Sequence, residues 1–535
     1  MDPYLGEDPW AVLQAFVLLS AIFACVGTWP ICHLLLRRYR RRIAEGMRGR
    51  GSPPDPSAVV DDHGPAAPAG ADPVPAIAVR EVDVTGRPPL LDRARAQARR
   101  AQLIFLLAGA AYGLAGAVVF TIVGRETWQP LWLIAYAFVF AWPLVPTWLI
   151  LSVSSRRRRL IAWPGYLVVA AGMIALARPA NLLDIVLLIF PVVFVAATGA
   201  KSLRGAAWLV APILLMLGVT VNAWRLVARY VGFGAPFDGF ARGAVVVGLV
   251  VPFIALGYVW LATRLYRSKL TSDQTLLIVQ WWFVSSLWWM MLLGVQGGVG
   301  WSLSAVPYVI FVTVLVVGLR IRPAGRGVRL LLLRTFGARE RSTRLVSLLT
   351  RQWRWIGSVE LITAPDVASE TLEPDEFLDF LLRRLSRRFV ADEAVVPERL
   401  AALDLSPDRD GRFRVNELMC TDDTWQLVFE GLVTRVDAVL IDLRDLGEGR
   451  SGVQHELERV VAVVPLTTVI AIVDPTTDRA TLTTALGRAA ALAPASSPAQ
   501  RDREPILWTV DWAQGRDVPA RLLAAVAEAA EPATP

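Results

Sequence analysis

A glutamate near the start of a predicted helix, Glu456, is the residue of this chain best placed to do chemistry. It lies in the segment from Asp442 to Leu457, where a predicted strand leads through a glycine-containing loop into a helix. Carboxylates in enzymes stabilise the oxocarbenium-like transition states of glycoside cleavage. The alternative is that Glu456 and Glu458 simply favour the first turns of the helix and face solvent. The two readings differ in whether Glu456 lines a cleft or is exposed.

Four further residues follow predicted strands and could contact a ligand. Arg334, Phe336 and Arg339 come at and after the end of one strand, and Arg444 comes after another. Ligands of parallel α/β sheets bind outside the carboxyl ends of the strands. All four are candidate cofactor-binding residues. Since the guanidinium group matches the geometry of phosphate oxygens, Arg334 and Arg339 could meet a phosphate. The favoured alternative is that these two arginines are ordinary surface residues.

Common catalytic and metal-binding sequences are absent. The chain has no GxxxxGK[ST] P-loop, no GxSxG and no HExxH. Its three cysteines and three histidines are scattered, without the spacing of metal ligands. The sequence therefore predicts no metal site and establishes no cofactor.

Short apolar runs alternate with helical patterns from Val328 onwards, which is typical of an α/β domain with a largely parallel sheet. The predicted strands are 328–335, 358–363, 438–443, 468–473 and 505–510. The predicted helices are 342–354, 374–389, 424–434, 452–463, 479–492 and 518–530. The stretch between Phe389 and Arg414 is ambiguous.

The rest of the chain is apolar. Overall, 54% of the 535 residues are hydrophobic and 19% are charged, compared with about 25% charged in soluble domains. Runs long enough to cross a bilayer predict about nine spans. They are 10–36, 101–123, 130–153, 160–178, 181–200, 206–225, 241–264, 274–295 and 301–320.

Basic residues orient these spans. They cluster after the odd-numbered spans: between Arg37 and Arg42, at Arg156–Arg159, at Lys201 and Arg204, between Arg264 and Lys269, and at Arg320 and Arg322. By the positive-inside rule the N-terminus lies outside and the C-terminal domain is cytoplasmic. Arg225 and Arg229, after the sixth span, are an exception.

The net charge of +8 divides unevenly between the two halves of the chain. Residues 327–535 hold 25 arginines and 32 acidic residues, a net charge of −7, which leaves +15 for the first 326 residues. The acidic domain excludes nucleic acid as an expected partner. The expected partner of the apolar half is the lipid bilayer.

Four segments follow from these patterns. Residues 1–36 are predicted to be an anchor helix, 101–322 an eight-helix membrane domain, and 327–535 the cytoplasmic α/β domain. Residues 37–100 are predicted to be a disordered cytoplasmic loop, because 51–90 contain nine prolines and few large apolar residues. A short strand at 79–84 is the less favoured alternative.

The predicted spans carry no carboxylate at their centres, which disfavours a pump or an ion-coupled carrier but leaves a carrier of apolar solutes open. Gly109, Gly113 and Ala117 form a small-residue stripe that suits helix packing or oligomerisation. Two tryptophan pairs repeat at a spacing of seven and share a helix face, Trp281 with Trp282 and Trp288 with Trp289. They are expected to pack between helices or against lipid rather than to form a ligand cage.

The C-terminal domain resembles TIR domains. Leu330–Phe336 is similar to the opening strand of TIR-like domains that are attached to multi-pass bacterial membrane proteins, Trp425 lies in a following helix, and Glu456-Leu457 matches the Glu-Leu of the catalytic helix. TIR proteins commonly carry Ser-x-Trp-Cys before this glutamate. Here Ser451 is followed by Gly452 and Val453, and the spacing to Glu456 is one residue shorter.

The resemblance implies a TIR or flavodoxin-like parallel sheet and a signalling or interaction domain, with a homo-oligomer or a protein partner, in a bacterial stress or defence pathway. It also implies that Glu456 could cleave NAD as a substrate. The alternative is a membrane transporter or sensor whose α/β domain regulates it without catalysis.

Overall fold

The computed structural model describes a large part of the chain. The described residues are 9–47, 76–83, 86, 88–123, 129–152, 201–232, 239–294, 303–320, 327–334, 339–363, 368–421, 423–444, 446, 451–502, 504–512 and 517–531. The chain divides into two compact units. The first comprises Met1–Arg37, Arg99–Pro323 and Leu372–Leu378, and the second comprises Arg38–Ala98, Ala324–Thr371 and Asp379–Pro535.

Apolar helices build the first unit. They belong to α1 (Pro9–Met47), α2 (Pro89–Val123), α3 (Pro130–Phe140), α4 (Leu144–Ser152), α5 (Lys201–Gly232), α6 (Gly239–Arg267), α7 (Asp273–Gly294) and α8 (Val306–Gly318). Three described helical segments are long and apolar enough to cross a membrane, namely Pro89–Val123, Gly205–Ala228 and Arg242–Arg267. The side chains of α6 suit lipid: Phe253 is 73% exposed and Leu256 is 69% exposed.

The helices differ from the predicted spans in two places. The third predicted span is two helices, α3 and α4, separated by a turn at 141–143. Pro143 lies in this turn, where proline supplies no N–H and disfavours a helical residue before it. The fourth and fifth predicted spans, 160–178 and 181–200, lie outside the described residues.

The small-residue stripe packs within the first unit. A Cβ atom on Gly113 would lie 2.6 Å from the carbonyl oxygen of Ala137 in α3, so glycine permits this close approach. The neighbouring tryptophan pair is buried: Trp282 stacks on Phe311 with ring centroids 4.5 Å apart and donates through Nε1 to Thr147 Oγ1 at 2.9 Å. Packing is therefore confirmed for Trp281 and Trp282.

The prediction of disorder for residues 37–100 is wrong in three places. Helix α1 continues to Met47, α2 begins at Pro89, and strand β1 (Ala78–Glu81) pairs with a strand of the C-terminal domain. The extension of α1 is amphipathic, because Tyr39 and Ile43 are buried on one side while the arginines between 37 and 42 are exposed.

The second unit contains a parallel sheet of eight strands. After β1 come β2 (Val328–Arg334), β3 (Gly357–Ile362), β4 (Phe389–Val390), β5 (Val415–Cys420), β6 (Ala438–Asp442), β7 (Val469–Val473) and β8 (Ile506–Asp511). Their order across the sheet is β1-β8-β7-β6-β2-β3-β5-β4, and every pair is parallel.

Helices cover both faces of this sheet. The helices between Arg339 and Ala529 are α9 (Arg339–Gln352), α10 (Ala368–Thr371), α11 (Pro374–Leu381), α12 (Val396–Ala401), α13 (Trp425–Val433), α14 (Ser451–Val463), α15 (Arg479–Leu492), α16 (Pro498–Arg501) and α17 (Val518–Ala529). Most of α11 belongs to the first unit. Leu331 and Leu333 of β2 share a core with α13, α14 and α15. Leu330 and Leu332 share the opposite core with α9 and α17. The fold is thus three layers, with helices on both sides of a buried sheet.

Candidate functional site

The carboxyl edge of the sheet holds the candidate site. Strand β3, which follows β2 in the chain, lies on one side of β2 in the sheet. Strands β6, β7 and β8 lie in that order on the other side. The order of the strands therefore reverses between β2 and β6, and ligands of open α/β sheets bind at such a switch point. Arg334 and Asp442, the last residues of these two strands, are register partners.

Glu456 lies in the buried face of α14. Val453, Leu457 and Val460 recur at helical spacing and pack in the core, and Glu456 takes a position among them with 4% of its surface exposed. Its Oε2 atom is buried and has no hydrogen-bond partner among the described residues. A carboxylate in this position must be offset by a charge or a ligand, or else be protonated.

Burial controls the protonation of this side chain. Desolvation raises the pKa of Glu456 to about 8, and the positive charge of Arg334 opposes that rise. The alternative prediction, in which Glu456 faces solvent at a helix start, is wrong. Glu458, two positions along the same helix, is only partly buried.

Arg334 and Arg444 have different environments. Arg334, 3% exposed at the end of β2, is the predicted cation whose charge acts on Glu456. Arg444 is held by Asp442, since its Nε and Nη2 atoms donate to the two carboxylate oxygens at 2.7 and 2.6 Å. Its guanidinium also lies 4.8 Å from the ring centroid of Trp512. The charge of Arg444 is therefore balanced within the protein.

The other two predicted residues cannot be placed in the site. Phe336 lies outside the described residues. Arg339 is the first residue of α9, but its side chain also lies outside the described part of the structure. Contact of Phe336 and Arg339 with a ligand stays a prediction.

Several residues of this edge were not singled out from the sequence. Asp442, which holds Arg444, is one of them, and an acidic residue ending a buried strand was the available signal. His455 is another: its ring packs 6.0 Å from Trp425 and 6.3 Å from Phe429, and its Nε2 atom is buried without a hydrogen-bond partner among the described residues.

A glycine pattern between β6 and α14 is the third overlooked signal. Gly447, Gly449 and Gly452 have the spacing GxGxxG, after a strand and at the opening of a helix. This spacing in this context is a signal of dinucleotide binding. The residues 447–450 themselves lie outside the described structure.

No group of three or more His, Cys, Asp or Glu side chains that could hold a metal ion occurs among the described residues. Comparisons of the chain with protein-family models, curated proteins and solved structures find no match. The function must therefore be argued from the site itself.

Proposed function

We propose that this chain is a multi-pass membrane protein that presents a cytoplasmic TIR-like signalling domain, and that Glu456 of this domain cleaves NAD. The environment of Glu456 is the observation on which the proposal depends. This carboxyl group is buried, has an oxygen without a hydrogen-bond partner among the described residues and is influenced by the charge of Arg334. It lies on the helix that follows β6, a strand at the switch point. Buried carboxyl groups with strongly raised pKa values are concentrated at active sites.

The strand order supports the TIR part of the proposal. Without β1, β4 and β5, the sheet reads β3-β2-β6-β7-β8. In chain order this is the arrangement 2-1-3-4-5 of flavodoxin-like folds, with which the resemblance to TIR domains agrees. The extra strands β4 and β5 extend the sheet beyond β3.

The proposed reaction is hydrolysis at the ribose carbon that bears nicotinamide. The bond between C1′ and the pyridinium nitrogen breaks, and nicotinamide leaves with the electron pair. Water adds its oxygen to C1′ and releases one proton, which gives ADP-ribose. Ionised Glu456 stabilises the positive charge that develops on the ribose in the transition state. No oxidant or reductant is needed.

The membrane part of the proposal is about nine spans, with the N-terminus outside and the C-terminal domain in the cytoplasm. The three membrane-length helices and the arginine clusters that follow the odd-numbered spans support this topology. A topology reporter fused after Pro535 should be active only in the cytoplasm. Activity outside the cell would contradict the proposed orientation.

One observation favours a second function, a membrane transporter or sensor with a non-catalytic α/β regulatory domain. Arg444, a predicted cofactor-binding residue, is 1% exposed and is neutralised by Asp442. An edge closed in this way suits a domain that binds a protein partner or a second copy rather than a substrate.

Incubation of the full-length protein in lipid nanodiscs with NAD separates the two functions. The wild type should release nicotinamide, and Glu456→Gln should lower the rate by about 100-fold or more, because an interaction made in the transition state is lost. Glu458→Gln is the matched control on the same helix and should keep the wild-type rate. Equal rates for Glu456→Gln and the wild type, or no turnover by the wild type even at concentrations that favour oligomers, would reject catalysis and leave the second function.

A further inference from the structure

Helix α1 has one buried face and one exposed face along its described length. Buried side chains recur every three or four positions, at Ala24, Thr28, Cys32, Leu36, Tyr39 and Ile43. Large apolar side chains occupy the opposite face, where Leu19, Phe23, Val26 and Leu34 are between 52% and 62% exposed. Since an α-helix repeats every 3.6 residues, each set forms a continuous stripe. The exposed stripe suits the hydrocarbon of a bilayer.

Arginines continue the exposed stripe beyond its apolar part. Arg37 and Arg41 follow Leu34 at the same spacing of three and four residues, and both are exposed. Residues 37–47 contain five arginines and one acidic residue, Glu45, which gives a net charge of +4. Glu45 pairs with Arg42 at 3.1 Å. The exposed face of α1 therefore changes from apolar to basic within one helical turn.

The helical rise places these arginines at the depth of lipid phosphates. An α-helix rises about 1.5 Å per residue, so Arg37 lies about 4.5 Å and Arg41 about 10 Å beyond Leu34 along the axis. Each headgroup layer adds roughly 5–8 Å to a hydrocarbon core of about 30 Å. With the apolar stripe in hydrocarbon, Arg37 falls in the headgroup layer, and the long side chain of Arg41 reaches back to it.

Helix α2 has the same arrangement in the reverse direction. It is one of the described helices long and apolar enough to cross a membrane. On its exposed face, Leu103, Leu107 and Leu114 are between 53% and 55% exposed, and the exposed Arg99 precedes Leu103 by four residues. The change from a lipid-compatible face to arginine thus occurs on a second helix, independently of α1.

The basic end of α1 is also a part of the α/β unit. Its residues from Arg38 onwards belong to the second unit. The ring of Tyr39 meets Phe380 edge-on, with ring centroids 5.4 Å apart, and Gly46 leaves no room for a Cβ atom beside the ring of Phe389. A ligand that binds the exposed face of this folded extension should therefore stabilise the α/β unit.

From these observations we infer that Arg37 and Arg41 bind the phosphate groups of anionic lipids, and that the bound lipid stabilises the α/β unit. Guanidinium groups match phosphate oxygens in charge and geometry, and basic residues directly beside a membrane span attract anionic headgroups. The inference goes beyond the proposed function, because it holds whether or not Glu456 cleaves NAD. It names lipid composition as a regulator of this protein.

Pulse proteolysis of the full-length protein in urea tests the inference. The protein is placed in phosphatidylcholine nanodiscs, either pure or with about one-third phosphatidylglycerol. The unfolding constant of the α/β unit should be at least about fivefold lower with phosphatidylglycerol. Arg37→Gln/Arg41→Gln should remove most of this difference, and high salt should weaken it because salt screens exposed charges. Arg37→Lys/Arg41→Lys should keep most of it, since lysine retains the charge.

Arg479→Gln/Arg488→Gln is the matched control. It removes the same charge from exposed positions of α15, so it should keep the wild-type difference. Equal unfolding constants of the wild type in the two nanodiscs, or an undiminished difference in Arg37→Gln/Arg41→Gln, would overturn the inference. An equal loss in the control would show a general charge effect and overturn it too. The same stabilisation by free glycerol phosphate in phosphatidylcholine nanodiscs would assign the arginines to a soluble phosphate instead of a lipid.

Discussion

The two units bury polar groups in opposite ways. Within the apolar helices of the first unit the described buried polar groups are mostly neutral and bonded, as where Ser286 donates to the carbonyl of Trp282 at 2.7 Å. Buried carboxyl groups of that unit lie at helix starts, as Asp273 does at the first residue of α7. The α/β unit instead buries ionisable groups in its interior, such as Asp408, whose Oδ1 atom accepts from Arg414 Nη2 at 2.8 Å.

The difference indicates where chemistry can occur. Neutral hydroxyl and indole groups form hydrogen bonds with one another where helices pack, and they carry no charge that could stabilise a transition state. Buried carboxyl groups are costly, and the pKa values of both Asp408 and Glu456 are raised to about 8 by desolvation. Asp408 faces Arg414 in a hydrogen-bonded pair, whereas Glu456 has an oxygen without a partner. Of these two carboxyl groups, a structural role therefore explains Glu456 less well.

The largest expected effect comes from breaking the pair between Asp442 and Arg444. Arg444→Met should lower the free energy of unfolding of the α/β unit by about 3–5 kcal/mol, because it leaves a buried carboxylate without its counter-ion. Pulse proteolysis of the full-length protein in urea measures this loss. Adding Asp442→Leu to Arg444→Met should restore part of it, and a double variant as unstable as the single one would contradict the account.

A smaller effect of opposite sign is expected at Glu456. Its pKa in the folded protein is about 8, above the unfolded value of about 4.5, so the protonated form favours folding. That contribution is complete below pH 4.5 and is lost as the pH rises through 8. Glu456→Gln should therefore be more stable than the wild type at pH 9, on the order of a few kcal/mol, by the same proteolysis assay. Glu458→Gln should match the wild type, and a destabilised Glu456→Gln at pH 9 would show that burial does not raise this pKa.

The smallest effect is expected in the membrane unit. Ser286→Ala removes a hydrogen bond to Tyr112 of α2 and one to the carbonyl of Trp282 within its own helix. Hydrogen bonds between membrane helices contribute about 0.6 kcal/mol on average. Thermal unfolding in detergent should change by little. A loss of more than about 2 kcal/mol would mean that the two units do not differ in the way described.

Much of the α/β fold could be predicted from local pattern. The five predicted strands and six predicted helices have counterparts, with 479–492 matching α15 at both ends. The helix predicted at 374–389 ends at Leu381, and Arg383 just beyond it has φ of 58°, a conformation that does not continue a helix.

Strand β5 was missed and β1 was only the less favoured alternative, because neither has a strong local signal. In β5, Asn416 and Glu417 interrupt the apolar run, but the structure satisfies them: Asn416 bonds the backbone of Asp404, and Glu417 accepts from Thr363 at 3.0 Å. Strand β1 depends on its partner β8 and on an ion pair between Glu81 and Arg521 at 2.7 Å. Both partners are more than 400 positions away in the chain.

For the site, residue types were predictable and partners were not. The position of Glu456 after a strand and a loop made it a candidate from the sequence. Its burial depends on which face of α14 packs against the sheet. The arginines looked equivalent in the sequence. Their separation into Arg334, which acts on Glu456, and Arg444, which Asp442 neutralises, depends on how strands β2 and β6 align.

The pH dependence of NAD cleavage tests the central claim most directly. If ionised Glu456 is the catalytic group, kcat/KM of the full-length protein in nanodiscs should rise with pH and level off above an apparent pKa near 8. Arg334→Gln should move that apparent pKa upwards, because it removes the positive charge that favours the ionised form. An apparent pKa near that of an ordinary glutamate, unmoved by Arg334→Gln, would contradict the account.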